Sequence, residues 1–92
     1  MDKETALEAL NSLGLTTSAF KILCYLTFNQ KEAKPSEISE EMGMKAGTVR
    51  ARLSELKEAE LVKVVSNGYV SNILPYDIIM RIYNELREET KS

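Results

Sequence analysis

The sequence predicts a mainly α-helical domain carrying one small β-hairpin. Three observations predict it. Apolar residues recur at three- and four-residue spacing through most of the chain, Asn67-Gly68 separates two runs rich in β-branched and aromatic residues, and two short amphipathic segments meet at Gly43. These two segments carry opposite charge. Residues 35–42 hold Glu37, Glu40 and Glu41 with no basic residue, whereas 43–57 hold Lys45, Arg50, Arg52 and Lys57 against Glu55 alone.

Each element has its own local signal. Leu7, Leu10 and Leu13, with Ala6 and Ala9 beside them, form one stripe on a helix over about 4–13, and Gly14 offers a stop. Thr16 is placed to cap the next helix, which runs to about residue 28. Ala19, Phe20, Ile22, Leu23, Leu26 and Phe28 are too many for a narrow stripe, so this helix is expected to be central, with Cys24 a small buried hydrophobe. Residues 29–34 are polar and read as a loop. Pro35 suits the first turn of a third helix, where a missing amide hydrogen costs nothing, and Gly43 can take the positive φ of a tight turn.

The fourth helix, about 46–59, buries Val49, Leu53 and Leu56 and turns Gly47, Ala51, Ser54 and Glu58 outward. Arg50 borders that outward face, while Arg52 falls nearer the core stripe. Residues 61–65 and 69–73 form the hairpin. Pro75 then opens a last helix to about residue 89, striped by Ile78, Ile79, Ile82, Tyr83 and Leu86, and residues 90–92 are expected to fray.

Composition limits the function. Ninety-two residues, 43% hydrophobic and 28% charged, suit one folded domain over 1–92. A single cysteine excludes an internal disulfide, and the absence of histidine removes zinc fingers, Cys-His nucleophiles and the usual general base. Neither an enzyme nor a cofactor or metal site is expected. The longest uncharged run, 64–76, is too short to span a bilayer and is broken by Asn67, Gly68 and Pro75; residues 1–13 lack the apolar core of a signal peptide. A cytoplasmic location is therefore expected. The net charge of −2 argues against indiscriminate coating of nucleic acid, but the +3 of residues 43–57 is the kind of local charge that phosphate contacts require.

Helix, helix, helix and hairpin in that order resemble the winged helix-turn-helix of transcriptional regulators. The motifs are Leu13-Gly14-Leu15-Thr16, Ile38 and Met42-Gly43, Thr48-Val49, Leu53 and Leu56, and Leu61-Val62. Leu-Gly-Leu-Thr before the first of these helices, with Ile73-Leu74-Pro75 after the hairpin, resembles the DNA-binding domain of TrmB-like regulators, and MarR-like proteins are a looser match. The resemblance implies a helix-turn-helix over about 35–59, a wing over about 61–73 and a C-terminal helix over about 75–89. TrmB-type regulators often continue into a sugar-binding domain; a one-domain version is expected here, so no effector pocket is carried over. The chain departs from the family pattern in three places. Glu60 stands where a glycine usually precedes the first wing strand, the Asn67-Gly68 tip has no Lys or Arg, and Gly47 often has a serine counterpart.

The resemblance implies sequence-specific binding of double-stranded DNA, with 46–54 entering the major groove. Arg50 or Arg52 would fork onto guanine and Ala51 would meet a thymine methyl. The expected contact set is Ser36, Lys45, Ala46, Gly47, Thr48, Arg50, Ala51, Arg52, Ser54, Lys57, Asn67 and Gly68. A homodimer would double this small surface, with Leu7, Leu10, Ile79, Ile82, Tyr83 and Leu86 at its interface. A winged helix that binds protein is the alternative, using the acidic third helix and Val62, Val64, Val65, Tyr69 and Val70.

Overall fold

The computed structural model describes residues 3–91, which form five helices and one antiparallel hairpin. The helices are α1 (Lys3–Ser12), α2 (Ser18–Asn29), α3 (Pro35–Met42), α4 (Ala46–Glu58) and α5 (Pro75–Lys91); the hairpin pairs β1 (Val62–Val65) with β2 (Gly68–Ser71). Helix α5 continues past the expected end, so Thr90 and Lys91 are helical and not frayed, while Ser92 lies outside the described residues.

Helix α2 is central, as its apolar crowding predicts. It buries Ala19, Phe20, Ile22, Leu23, Leu26 and Thr27, and packs against α4, β2 and α5. Ile38 from α3, Val49, Leu53 and Leu56 from α4, Leu61, Val62, Ile73 and Ile78 complete the core on its flanks, and Ala6 and Leu10 from α1 close it. Phe28 is the exception: it is exposed at the end of α2. Truncating a fully buried leucine such as Leu53 to alanine costs about 2–5 kcal/mol, the lost transfer energy plus the cavity left behind.

Helices α3 and α5 start alike. In Lys34-Pro35-Ser36-Glu37 and Leu74-Pro75-Tyr76-Asp77 the proline opens the helix, and the acid two residues later turns back to the chain. Glu37 Oε1 accepts the Lys34 amide at 2.8 Å and Asp77 Oδ2 accepts the Leu74 amide at 2.8 Å. Each carboxylate also lies at the positive end of its helix. Glu37, one of the three acids that give this segment its negative charge, is thus also a capping residue.

Three local expectations are corrected. Thr17, not Thr16, caps α2: its hydroxyl donates to the Gly14 carbonyl at 2.8 Å and accepts the Phe20 amide at 3.2 Å. A turn from Gly14 to Thr17 sets that register, and Gly14 does not adopt the positive φ of a helix stop. In the hairpin, Val65 pairs with Gly68, so the two-residue loop is Ser66-Asn67 and Gly68 belongs to β2. The reason for Gly68 lies across the chain. At its φ of +145°, a Cβ would stand 2.3 Å from the Ala33 carbonyl oxygen, and Ala33 pairs with Tyr69 through hydrogen bonds of 2.8 and 3.1 Å. This bridge ties the hairpin to the loop before α3.

The third correction concerns Val62 and Leu10. Val62, expected on a partner surface, is buried in the core, and so is Leu10, expected at a dimer interface. Leu10 is covered because α5 lies across α1 within one protomer. Arg81 fastens the two: its Nε donates to the Leu10 carbonyl at 3.0 Å, its Nη2 to the Leu13 carbonyl at 2.9 Å, and its Nη1 to Glu85 at 2.7 Å. The Leu10 carbonyl also accepts the Leu13 amide at 3.1 Å, and a cation on the carbonyls of a helix end is favourable both as a hydrogen bond and against the helix dipole.

Candidate nucleic-acid interface

The turn between α3 and α4 fixes the angle at which α4 is presented. Gly43 takes φ +63°, as expected for the glycine of a tight turn. Ser39 closes the turn twice, through its carbonyl, which accepts the Met44 amide at 3.1 Å, and through its hydroxyl, which donates to the Met44 carbonyl. The far end of α4 is fixed by a Schellman pair, Glu60 amide to Lys57 carbonyl at 3.0 Å and Leu61 amide to Leu56 carbonyl at 2.9 Å. Glu60 holds the left-handed position of that motif at φ +63°, where glycine is the usual residue.

Between these fixed ends Val49, Leu53 and Leu56 point into the core, and Gly47, Thr48, Arg50, Ala51, Ser54 and Lys57 point out. Lys45 at the N-cap and Ala46 beside it are exposed as well, and Ser36 is exposed on α3. The structure thus brings most of the predicted contact set to one side of α4. Gly47 is unlike the chain's other glycines: its φ is not positive, and a Cβ there would meet nothing within 4 Å.

Arg52 is set apart from Arg50. Its Nη2 pairs with Glu55 Oε2 at 2.7 Å, its side chain is 33% exposed, and its Nε is buried with no hydrogen-bond partner. Arg50 is exposed, and no ion pair engages it among the described residues. Asn67 is exposed at the tip of the wing, and Gly68 is half-buried against Ala33. Sequence reading overlooked Lys63, an exposed cation on β1 next to the buried Val62.

On the other side of the turn, Tyr25, Glu32, Glu37, Glu40 and Glu41 line an acidic hollow with Lys31. Desolvation pushes the Tyr25 phenol above its ordinary pKa, and Glu41 and Glu37 add to the effect. Burial likewise pushes up the Cys24 thiol. The sign change seen along the sequence is therefore also a spatial one: an acidic edge beside α3 and a basic edge on α4.

A three-helix core, a helix presented by a fixed turn and a twisted hairpin beside it define a winged helix-turn-helix, the architecture of DNA-binding transcriptional regulators. The family model for bacterial regulatory proteins of the arsR family matches residues 16–64, from the turn before α2 through most of β1. The chain belongs to that family, and its matched segment contains all of α3 and α4. No curated protein and no solved structure matches it. No helix among the described residues is long and apolar enough to cross a membrane.

Proposed function

We propose that the chain is a non-enzymatic regulator that binds specific double-stranded DNA as a homodimer, each protomer laying α4 in the major groove. The exposed basic side of α4, inside the segment that matches the arsR family, carries this reading. Lys45, Lys57 and Ser36 serve as phosphate contacts, with Lys63 added from the wing; phosphate contacts supply affinity without sequence information. A cytoplasmic location fits such a role. The TrmB-like resemblance rests on Leu13–Thr16 and Ile73–Pro75, which here form the turn before α2 and the lead into α5.

The dimer reading rests on α5. Its inner side, Ile78 and Arg81, is occupied by α1 and the core, yet Ile79, Tyr83 and Leu86 remain 52–55% exposed on the outer side, with Ile82 beside them. Tyr76, missed by sequence reading, extends the same stripe at 66% exposed. An apolar stripe of this length on a monomer marks an association surface. Leu7, half-buried on α1, borders it, and Leu10 does not contribute. A two-fold dimer implies a pseudo-palindromic site with half-sites about 10 bp apart or a multiple of that.

The test is a fluorescence titration of labelled random duplex at two salt concentrations. Affinity that falls steeply with salt is expected, because each neutralised phosphate releases counterions. Affinity indifferent to salt would overturn the reading in favour of a protein-binding winged helix that uses the acidic edge and the exposed Val64.

A further inference from the structure

The two arginines of α4 carry equal charge, and spacing alone leaves both as readers of bases. Their surroundings separate them. A guanidinium reads guanine by presenting two parallel N–H groups to O6 and N7, so it must be free to aim its fork at the groove. Arg50 meets that requirement: it is exposed, unpaired among the described residues, and borders the line Gly47, Ala51 and Ser54, whose small side chains leave the helix surface low. Arg52 does not. It lies nearer the core stripe, with Nη2 held 2.7 Å from Glu55 and Nε buried.

Glu55 explains what Arg52 does instead. At 100° per residue, Glu55 borders the outward face on the side opposite Arg50. Its side chain is 58% exposed, and unneutralised its carboxylate would face the phosphates that flank a groove. Arg52 cancels that charge from the side of the core.

We infer that Arg50 is the guanine-reading residue of α4 while Arg52 is a positioning residue that neutralises Glu55, so that each half-site contains one guanine read through N7 and O6. The inference rests on the proposal that α4 enters the major groove. Among the other outward groups, Thr48 and Ala51 offer methyl groups that suit neighbouring thymines.

The experiment begins with sequences selected by the wild-type chain from a random duplex pool. Affinities are then measured by fluorescence anisotropy for the selected duplex and for one carrying 7-deazaguanine at the invariant guanine, which removes the N7 acceptor. A wild-type preference of about ten-fold is expected. Arg50→Ala should abolish the preference while keeping salt-dependent binding to both duplexes. Arg52→Ala should keep the preference but weaken both duplexes alike, and Arg52→Ala with Glu55→Gln should restore both, an outcome that simple loss of a DNA contact by Arg52 would not give. Circular dichroism verifies that each variant is folded. The inference is overturned if the preference survives Arg50→Ala or disappears in Arg52→Ala. Wild-type binding with no preference for the guanine sinks it while leaving DNA binding intact, whereas no binding to any duplex refutes the underlying proposal as well.

Discussion

Asn72 Nδ2 donates to the carbonyl of Glu60 at 3.0 Å, and the Asn72 amide donates to the Leu61 carbonyl at 2.9 Å. One residue at the exit of the wing therefore clamps the two residues at its start. The clamp sits on a left-handed Glu60, a conformation that costs a side-chain-bearing residue about 1–2 kcal/mol. Glycine removes that cost but brings more unfolded-state entropy. Glu60→Gly is accordingly expected to raise stability by about 1 kcal/mol in denaturant unfolding, and Asn72→Ala to lower it by about 1 kcal/mol.

Gly68 has no such freedom. With the Ala33 carbonyl where a Cβ would be, Gly68→Ala forces the wing off the loop before α3 and breaks the Ala33–Tyr69 bridge. A loss of at least about 2 kcal/mol is expected, since steric strain and two backbone hydrogen bonds are affected together. Amide exchange at Tyr69 offers the local check: its protection should fall more than that of Leu53 in α4.

Gly47 should behave in the opposite way. Nothing in the fold occupies the space of its Cβ, and glycine within a helix costs about 0.5–1 kcal/mol relative to alanine. Gly47→Ala is expected to raise the melting temperature while reducing affinity for duplex DNA, because the helix surface can no longer approach the base edges as closely. A stabilised variant with undiminished DNA affinity would mean that the low surface at Gly47 is not used.

The outer stripe of α5 makes the dimer reading testable without touching the core. Tyr83→Glu places a charge at the centre of the exposed stripe, between Ile79 and Leu86, and should leave a folded monomer in sedimentation velocity at micromolar concentration. If the variant sediments like the wild type, the stripe is not the contact. Arg81→Met is the cis counterpart. It removes the Arg81 donor from the Leu13 carbonyl and leaves the Leu10 carbonyl only the Leu13 amide, and should cost about 2 kcal/mol of stability.

The order of elements was legible in the sequence because each rests on a signal a few residues long. Pro35 and Pro75 opened helices, Gly43 made the turn, and the stripe Val49, Leu53 and Leu56 aimed α4 inward, which also exposed Arg50 and Ala51. Apart from the local cap at Thr17, what was misread were features with a partner far along the chain. Asn67-Gly68 reads as a turn dipeptide, but Gly68 is required by the backbone of Ala33; Leu10 reads as an open stripe, but Arg81 draws α5 over it; Arg50 and Arg52 read as equals, but the core constrains one and leaves the other free. By itself the sequence determined the local conformations and the face that each helix buries, since propensity, capping and periodicity act within a turn or two. Tertiary structure alone decided which hydrogen-bonding and charged groups remain available to a partner. That availability depends on what packs against each group, and packing joins residues that spacing along the chain does not relate.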